Sequence, residues 1–221
     1  MIKGAIFDLD GTLINSLIFW DMFWAKFGKR YFNDENFRPT LEEDKMSRTA
    51  TVDEASVYFH KQYGVGDSPN DYVDFFIQTL QWFYENIVKL KDGVYEFLES
   101  LSKNGVKMII ATATSPKLVD IVLKKTKLDR FFPTFVSCDE VGVGKSKPDV
   151  FLYALSKIGT NIEDTFVFED SSLAVETATS VNFKVVGVYD DNNFNQDKIK
   201  KLSTFYLDKG ESFIKLIDLL K

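Results

Sequence analysis

Apolar residues recur along this chain in two periods. Short runs at Ile2 to Phe7, Val106 to Ala111, Thr134 to Ser137, Thr165 to Phe168, Lys184 to Val188 and Phe205 to Leu207 read as strands. Amphipathic segments lie between most of them and read as helices. Such alternation predicts β-α-β units around a mostly parallel sheet, an α/β fold. Between Asn15 and about Lys89 the pattern changes to helical periodicity alone, over 16–32, 52–63 and 69–89. Thr51-Val52-Asp53-Glu54 can form a capping box there. The expected organisation is a doubly wound core from residues 1–15 and 90–221, interrupted by a helical cap over 16–89.

Punctuation between the elements sharpens this picture. Ser115-Pro116 supplies a helix cap followed by a proline, Lys147-Pro148-Asp149 opens the next helix similarly, and Asp170-Ser171 leads into a helix over 172–180. Three polar stretches therefore stand where a strand hands over to a helix. In open α/β sheets that edge binds ligands, and helix N-termini there favour anions. Asp190-Asp191-Asn192-Asn193 reads as an ordinary polar turn.

Composition narrows the class. With 45% hydrophobic residues and 21 Phe the chain can bury a sizeable core. A net charge of -6 argues against general binding to nucleic acid or anionic membranes. No apolar stretch approaches the roughly 20 residues of a membrane span, and Asp8 interrupts any apolar leader. The single Cys138 excludes an internal disulfide and a cysteine-rich metal site. A cytoplasmic protein is the expectation.

Candidate chemistry begins at the first strand. Ala5-Ile6-Phe7 runs directly into Asp8-Leu9-Asp10-Gly11-Thr12. Positions i and i+2 of a strand share a face, so both carboxylates are expected to point the same way. Like charges that close repel unless a cation or a shared proton offsets them. Glycine then permits a sharp turn. Three further stretches follow in order: Thr112 ending the strand Ile109-Ile110-Ala111, Gly144-Lys145-Ser146-Lys147-Pro148-Asp149, and Glu169-Asp170-Ser171 after Phe166-Val167-Phe168. Each has an ordinary explanation alone, as capping hydroxyls, solvated lysines or capping acids. An ordered set of four at strand ends is much less ordinary.

On these residues the sequence resembles the haloacid dehalogenase superfamily of phosphohydrolases, in its phosphatase and β-phosphoglucomutase-like branch with a helical cap. Asp8, Asp10, Gly11 and Thr12 match its first motif, Thr112 the second, Lys145 the third, and Glu169-Asp170 the fourth. The resemblance implies a Rossmann-like core and a Mg²⁺-dependent phosphatase acting on a small phosphorylated metabolite. It assigns Asp8 as nucleophile and metal ligand. Asp10 becomes general acid and base, with its backbone carbonyl on the metal. Asp170 holds Mg²⁺ with Glu169 assisting, Thr112 donates to the phosphoryl oxygens, and Lys145 neutralises charge and fixes the nucleophile. The parallel sheet would bring the four acids together. Three positions depart from the family pattern: Ser146 with a second lysine, Lys147, beyond it; Ala174 where glycine is frequent; and Asn15 where aspartate is common.

The cap is expected to read the substrate. Leu17, Trp20, Trp24, Phe27 and Tyr31 form a stripe at helical spacing, which suits cap core. Trp20 is the ring placed to touch substrate, and Arg48 the cation for a second phosphate or a carboxylate. His60 reads as structural or exposed. The alternative enzyme is a sugar-phosphate mutase, disfavoured because Thr12 and Trp20 replace the valine and cap histidine of β-phosphoglucomutase. A phosphonate hydrolase would need a Schiff-base lysine in a convincing cap motif, and a dehalogenase proper would not need Asp10. A catalytically idle binding module is opposed by the complete acid set. The resemblance is compatible with a monomer or weak dimer.

Overall fold

The protein is described from a computed structural model over residues 2–219. In chain order it contains β1 (Gly4–Phe7), α1 (Phe19–Phe32), α2 (Leu41–Thr49), α3 (Val52–Tyr63), α4 (Pro69–Asn86), α5 (Val94–Lys103), β2 (Lys107–Thr112) and α6 (Pro116–Thr126). There follow β3 (Phe135–Ser137), α7 (Cys138–Val141), α8 (Asp149–Ile158), β4 (Thr165–Glu169), α9 (Ser172–Ser180), β5 (Lys184–Val188), α10 (Gln196–Leu202), β6 (Phe205–Leu207) and α11 (Lys215–Leu219). The chain divides into two compact units, Met1–Leu17 with Val88–Lys221, and Ile18–Ile87.

The first unit is an α/β core. Its six strands run in the order β3-β2-β1-β4-β5-β6, and every pairing is parallel. β1 and β4 are buried along their whole length, which is why they read as unbroken apolar runs. On one face Ile6, Ile109, Val136, Val167 and Val185 pack against Val150, Phe151 and Ala154 of α8, Ala174, Val175 and Ala178 of α9 and Ile199 of α10. On the other, Phe7 stacks on Phe168 and meets Phe97 and Phe132 edge-on. Ala174, at a position where glycine is frequent in the resembled family, is a buried member of the first layer.

The second unit is helical and built on aromatic rings. α1 buries Phe19, Phe23, Trp24 and Phe27. Phe59 of α3 stacks on Tyr72 of α4 with centroids 5.4 Å apart, and Trp24 lies 5.3 Å from Phe59. The buried face is rotated from the expected stripe: Trp20 and Tyr31 are only half-buried at its edge, and Leu17 falls outside this unit. Helix α1 begins at Phe19, not near residue 16, and α4 presents Tyr72, Phe76 and Phe83 to the Phe19–Phe23–Phe27 side.

The sequence pattern did not predict α2, because LEEDKMSRT has almost no apolar periodicity. Its first turn is fixed instead by a capping box. Glu43 accepts from the Thr40 amide at 2.8 Å, and Thr40 Oγ1 accepts from the Glu43 amide at 3.3 Å. The Glu43 carboxylate, 6% exposed, also accepts from Tyr58 and Tyr63. Burial alone would raise its pKa, but the Thr40 amide and the hydroxyls of Tyr63, Thr40 and Tyr58 outweigh it and hold the group below the ordinary 4.5. A carboxyl depressed in the folded state stabilises folding above its unfolded pKa, and that contribution is lost as pH falls through the folded value. Glu43→Gln is therefore expected to lower stability at pH 7 by about 1–2 kcal/mol, a hydrogen-bonding deficit of the usual size. Denaturant melts should show the gap closing below about pH 4, the acid side of an ordinary carboxyl.

Two smaller expectations are adjusted. Pro148 takes the cap position of α8, whose first helical residue is Asp149. His60 is half-buried, its Nδ1 2.9 Å from the Val65 carbonyl oxygen near the end of α3. Among the described residues no helix is long and apolar enough to cross a membrane.

Candidate active site

The strand order reverses beside β1: β2 and β3 lie to one side, and β4 to β6 to the other. At such a switch point the loops leaving the C-terminal strand ends splay apart and leave a crevice. Register decides which residues meet there. Phe7 pairs with Phe168, and the Asp8 amide donates to the Phe168 carbonyl at 2.9 Å, which carries Asp8 beside Glu169. The strand ladder stops at Phe7, and Asp10 lies beyond it in a β-bridge with Ile14.

One carboxylate oxygen from each of Asp8, Glu169 and Asp170 lies within 4.8 Å of the others, and all three residues are buried. The Lys145 ammonium, its side chain 10% exposed, contacts Asp8 Oδ1 and lies 2.5 Å from Glu169 Oε1. Lys147 is exposed. Glu169 Oε2 accepts from the amides of Asp170 and Ser171, both at 3.0 Å. Asp170 Oδ1 accepts from Thr12 Oγ1 at 2.8 Å, and its Oδ2 from Asn193 Nδ2 at 2.6 Å.

Asp10 has a different partner. Its Oδ2 accepts from Thr114 Oγ1 at 2.6 Å. Of the four acids expected together, Asp8, Glu169 and Asp170 form the compact group, and Asp10 is near enough to act on the charge of Asp8. Thr112 is buried, with its Oγ1 accepting from the Thr114 amide at 3.1 Å. Gly11 permits the turn between Asp8 and Thr12. Its φ is +80°, and a Cβ there would stand 2.3 Å from Asp170 Oδ2, so only glycine fits.

Electrostatics explain why these acids tolerate each other poorly. Burial pushes the Asp8 carboxyl well above its ordinary range; Lys145 opposes this, while Glu169, Asp170 and Asp10 add to it. Burial also takes Asp170 up to about 7, with Glu169 contributing and Lys91 and Thr12 pulling the other way. For Lys145, burial would lower the pKa, but Asp8 and Glu169 overcome it and keep the ammonium charged. With all three carboxylates ionised, the single Lys145 ammonium among them would leave two negative charges to be balanced in a buried pocket. A divalent cation with a preference for hard oxygen ligands fits that deficit and that donor set.

The haloacid dehalogenase-like hydrolase family matches residues 5–188, the stretch that carries all of these groups up to Asp170. The chain belongs to this family. It is 29% identical to protein CbbY of Rhodobacter capsulatus over 197 residues, 84% of each chain. It is 25% identical to a phosphorylated carbohydrates phosphatase of Thermotoga maritima over 189 residues, 84% of this chain and 85% of the relative. The crystal structure of a putative β-phosphoglucomutase from Thermotoga maritima superposes with a TM-score of 0.80 at 21% identity, covering 99% of this chain and 98% of that one, which shows the shared fold.

In the helical unit, Arg48 pairs with Asp44 at 2.9 Å and its guanidinium sits 5.4 Å from the centre of the Trp20 ring. Asp44 in turn accepts from Trp24 Nε1 at 2.8 Å, so the carboxylate that holds the Arg48 guanidinium is itself held. Thr114, Asn193 and the Thr12 hydroxyl escaped the sequence reading as partners of the acids. Thr114 carried a signal, since it stands two residues after Thr112 at the same strand end.

Proposed function

We propose that this hydrolase is a Mg²⁺-dependent phosphatase of small phosphorylated metabolites, working through an aspartyl-phosphate on Asp8. The observation that carries the proposal is the position of Asp8, flanked by Lys145 and by the carboxylates of Glu169 and Asp170. Asp8, Asp170, the Asp10 carbonyl and Glu169 would hold Mg²⁺, which would supply the charge neutralisation that an anionic carboxylate needs to approach a phosphoryl group. Asp8 then attacks phosphorus while Asp10 gives its proton to the departing oxygen. Asp10, now ionised, takes a proton from water as that water attacks the aspartyl-phosphate, releasing phosphate and restoring both acids. Lys145 fixes Asp8 in place and balances phosphoryl charge, and Thr112 donates to a phosphoryl oxygen.

Different partners for the two aspartates support these roles. Asp8 faces Lys145, whereas the Thr114 hydroxyl holds Asp10 in one orientation. The named activity of the Thermotoga maritima relative supports a sugar phosphate as the substrate class. Trp20 and Arg48, a ring and a cation already braced together, are proposed as the substrate-selecting pair.

The test is phosphate release across phosphorylated sugars, nucleotides, small acids and an aryl phosphate. Release is expected with Mg²⁺, should vanish with chelator, and should return when Mg²⁺ is restored. Silence across the whole panel would defeat the phosphatase proposal. Isomerisation of β-glucose 1-phosphate faster than its hydrolysis would replace it with a mutase.

A further inference from the structure

The loop between β5 and α10 does more than turn the chain. We propose that Asn193 is a positioning residue for the metal ligand Asp170, and that a buried Lys91–Asp190 ion pair holds the loop where Asn193 can act. This rests on the proposed metal-binding role of Asp170.

The Asn193 Nδ2 group lies 2.6 Å from both Asp170 Oδ2 and the Asp170 main-chain oxygen. One amide thereby ties the carboxylate to its own backbone. Thr12 fixes the other oxygen from the opposite side. A carboxylate held at both oxygens cannot swing about its side-chain torsions, yet each oxygen keeps a lone pair for a cation. The orientation of Asn193 is itself determined. Its Oδ1 accepts from the Phe194 amide at 2.8 Å, which leaves the NH₂ end facing Asp170.

The loop is anchored by charge. Asp190 is 3% exposed, and its Oδ2 lies 2.9 Å from Lys91 Nζ. Lys91 also donates to the Tyr189 carbonyl at 2.7 Å. The other Asp190 oxygen accepts from the Asn192 amide at 2.9 Å, and the Asp190 carbonyl accepts from the Asn193 amide at 3.1 Å and from Gln196 Nε2 at 2.9 Å. Lys91 is equally well placed. Its amide donates to the Leu13 carbonyl, and the adjoining Leu90 bridges Ile14, just beyond the Asp8–Thr12 turn. The segment behind Asp8 and the loop behind Asp170 are therefore joined through one lysine. A buried ion pair made this way fixes geometry even where it adds little stability.

Second partners of metal-binding carboxylates typically govern metal affinity by 10–100-fold. Calorimetric titration of Mg²⁺ into the whole protein gives the readout, supported by the Mg²⁺-dependent rise of the thermal midpoint. Asn193→Ala is expected to weaken Mg²⁺ binding by about tenfold, while activity returns toward the parent value at saturating Mg²⁺. Asn193→Ser serves if the alanine variant folds poorly. Lys91→Met should weaken Mg²⁺ binding several-fold, about half a decade on the same scale, with Lys91→Arg restoring most of it. Asp191→Asn, an exposed change in the same loop, should leave affinity unchanged. Unaltered Mg²⁺ affinity in folded Asn193 and Lys91 variants would overturn the positioning role and leave the metal proposal intact. Absence of Mg²⁺ binding by the parent protein would overturn both.

Discussion

Asp8→Asn should lose phosphate release by at least about 1,000-fold at saturating Mg²⁺, measured with an aryl phosphate. Asparagine matches aspartate in shape and can still accept from the Lys145 ammonium, so the fold has no steric reason to change. What disappears is the anionic oxygen proposed to form the bond to phosphorus. The same substitution should leave thermal stability in chelator unchanged or higher. Asp8 is pushed well above its ordinary pKa, which means that its charged form is disfavoured where it sits. Removing that charge relieves repulsion with Glu169 and Asp170. Inactivity combined with undiminished stability is hard to obtain from a structural defect.

Lys145→Met should instead combine a loss of stability with a loss of activity. Methionine keeps much of the apolar shaft but removes the single cation lying between Asp8 and Glu169. Loss of one partner from a buried ion pair costs about 3–5 kcal/mol, because the remaining charges are left uncompensated. Denaturant melts in chelator should show that loss near neutral pH. Adding Mg²⁺ should recover part of it, since a divalent ion addresses the same charge deficit. The pH dependence has a definite sign. A carboxyl whose folded pKa is raised favours folding when protonated, and that stability is lost as pH rises through the raised value. The deficit of Lys145→Met should therefore shrink toward the ordinary carboxyl range and widen above it. Equal stability of variant and parent in chelator at neutral pH would contradict the charge argument. Phosphate release should also fall, by about 100-fold, the scale of losing one well-placed electrostatic partner.

The central sheet was legible because its strands are buried on both faces and so appear as apolar runs, with polar residues beginning where each strand ends. Asp8, Thr112 and Glu169-Asp170 could be picked out for that reason. Lys145 and Lys147 could not be separated by composition; the structure separates them by burial, with Lys145 against the acids and Lys147 in solvent. Helix α2 was hidden because a capping box and tyrosine hydrogen bonds hold it, and neither leaves an apolar period. Beyond Phe7 strand pairing no longer sets the geometry: the chain turns at Gly11, and the Thr114 hydroxyl on Asp10 had to be found in the structure. Asn193 and Lys91 were invisible for a further reason. Their meeting with Asp170 and Asp190 joins segments far apart in sequence, and a run of Asp and Asn looks like any surface turn until burial is known.

The most direct measurement is a borohydride quench during turnover of an aryl phosphate with Mg²⁺, followed by peptide mass spectrometry. Borohydride reduces an acyl phosphate and converts the aspartate that carried it to homoserine. The account predicts that conversion at Asp8 alone, absent without substrate and absent in Asp8→Asn. Sustained phosphate release with Asp8 unmodified, or with the label on another residue, would contradict it.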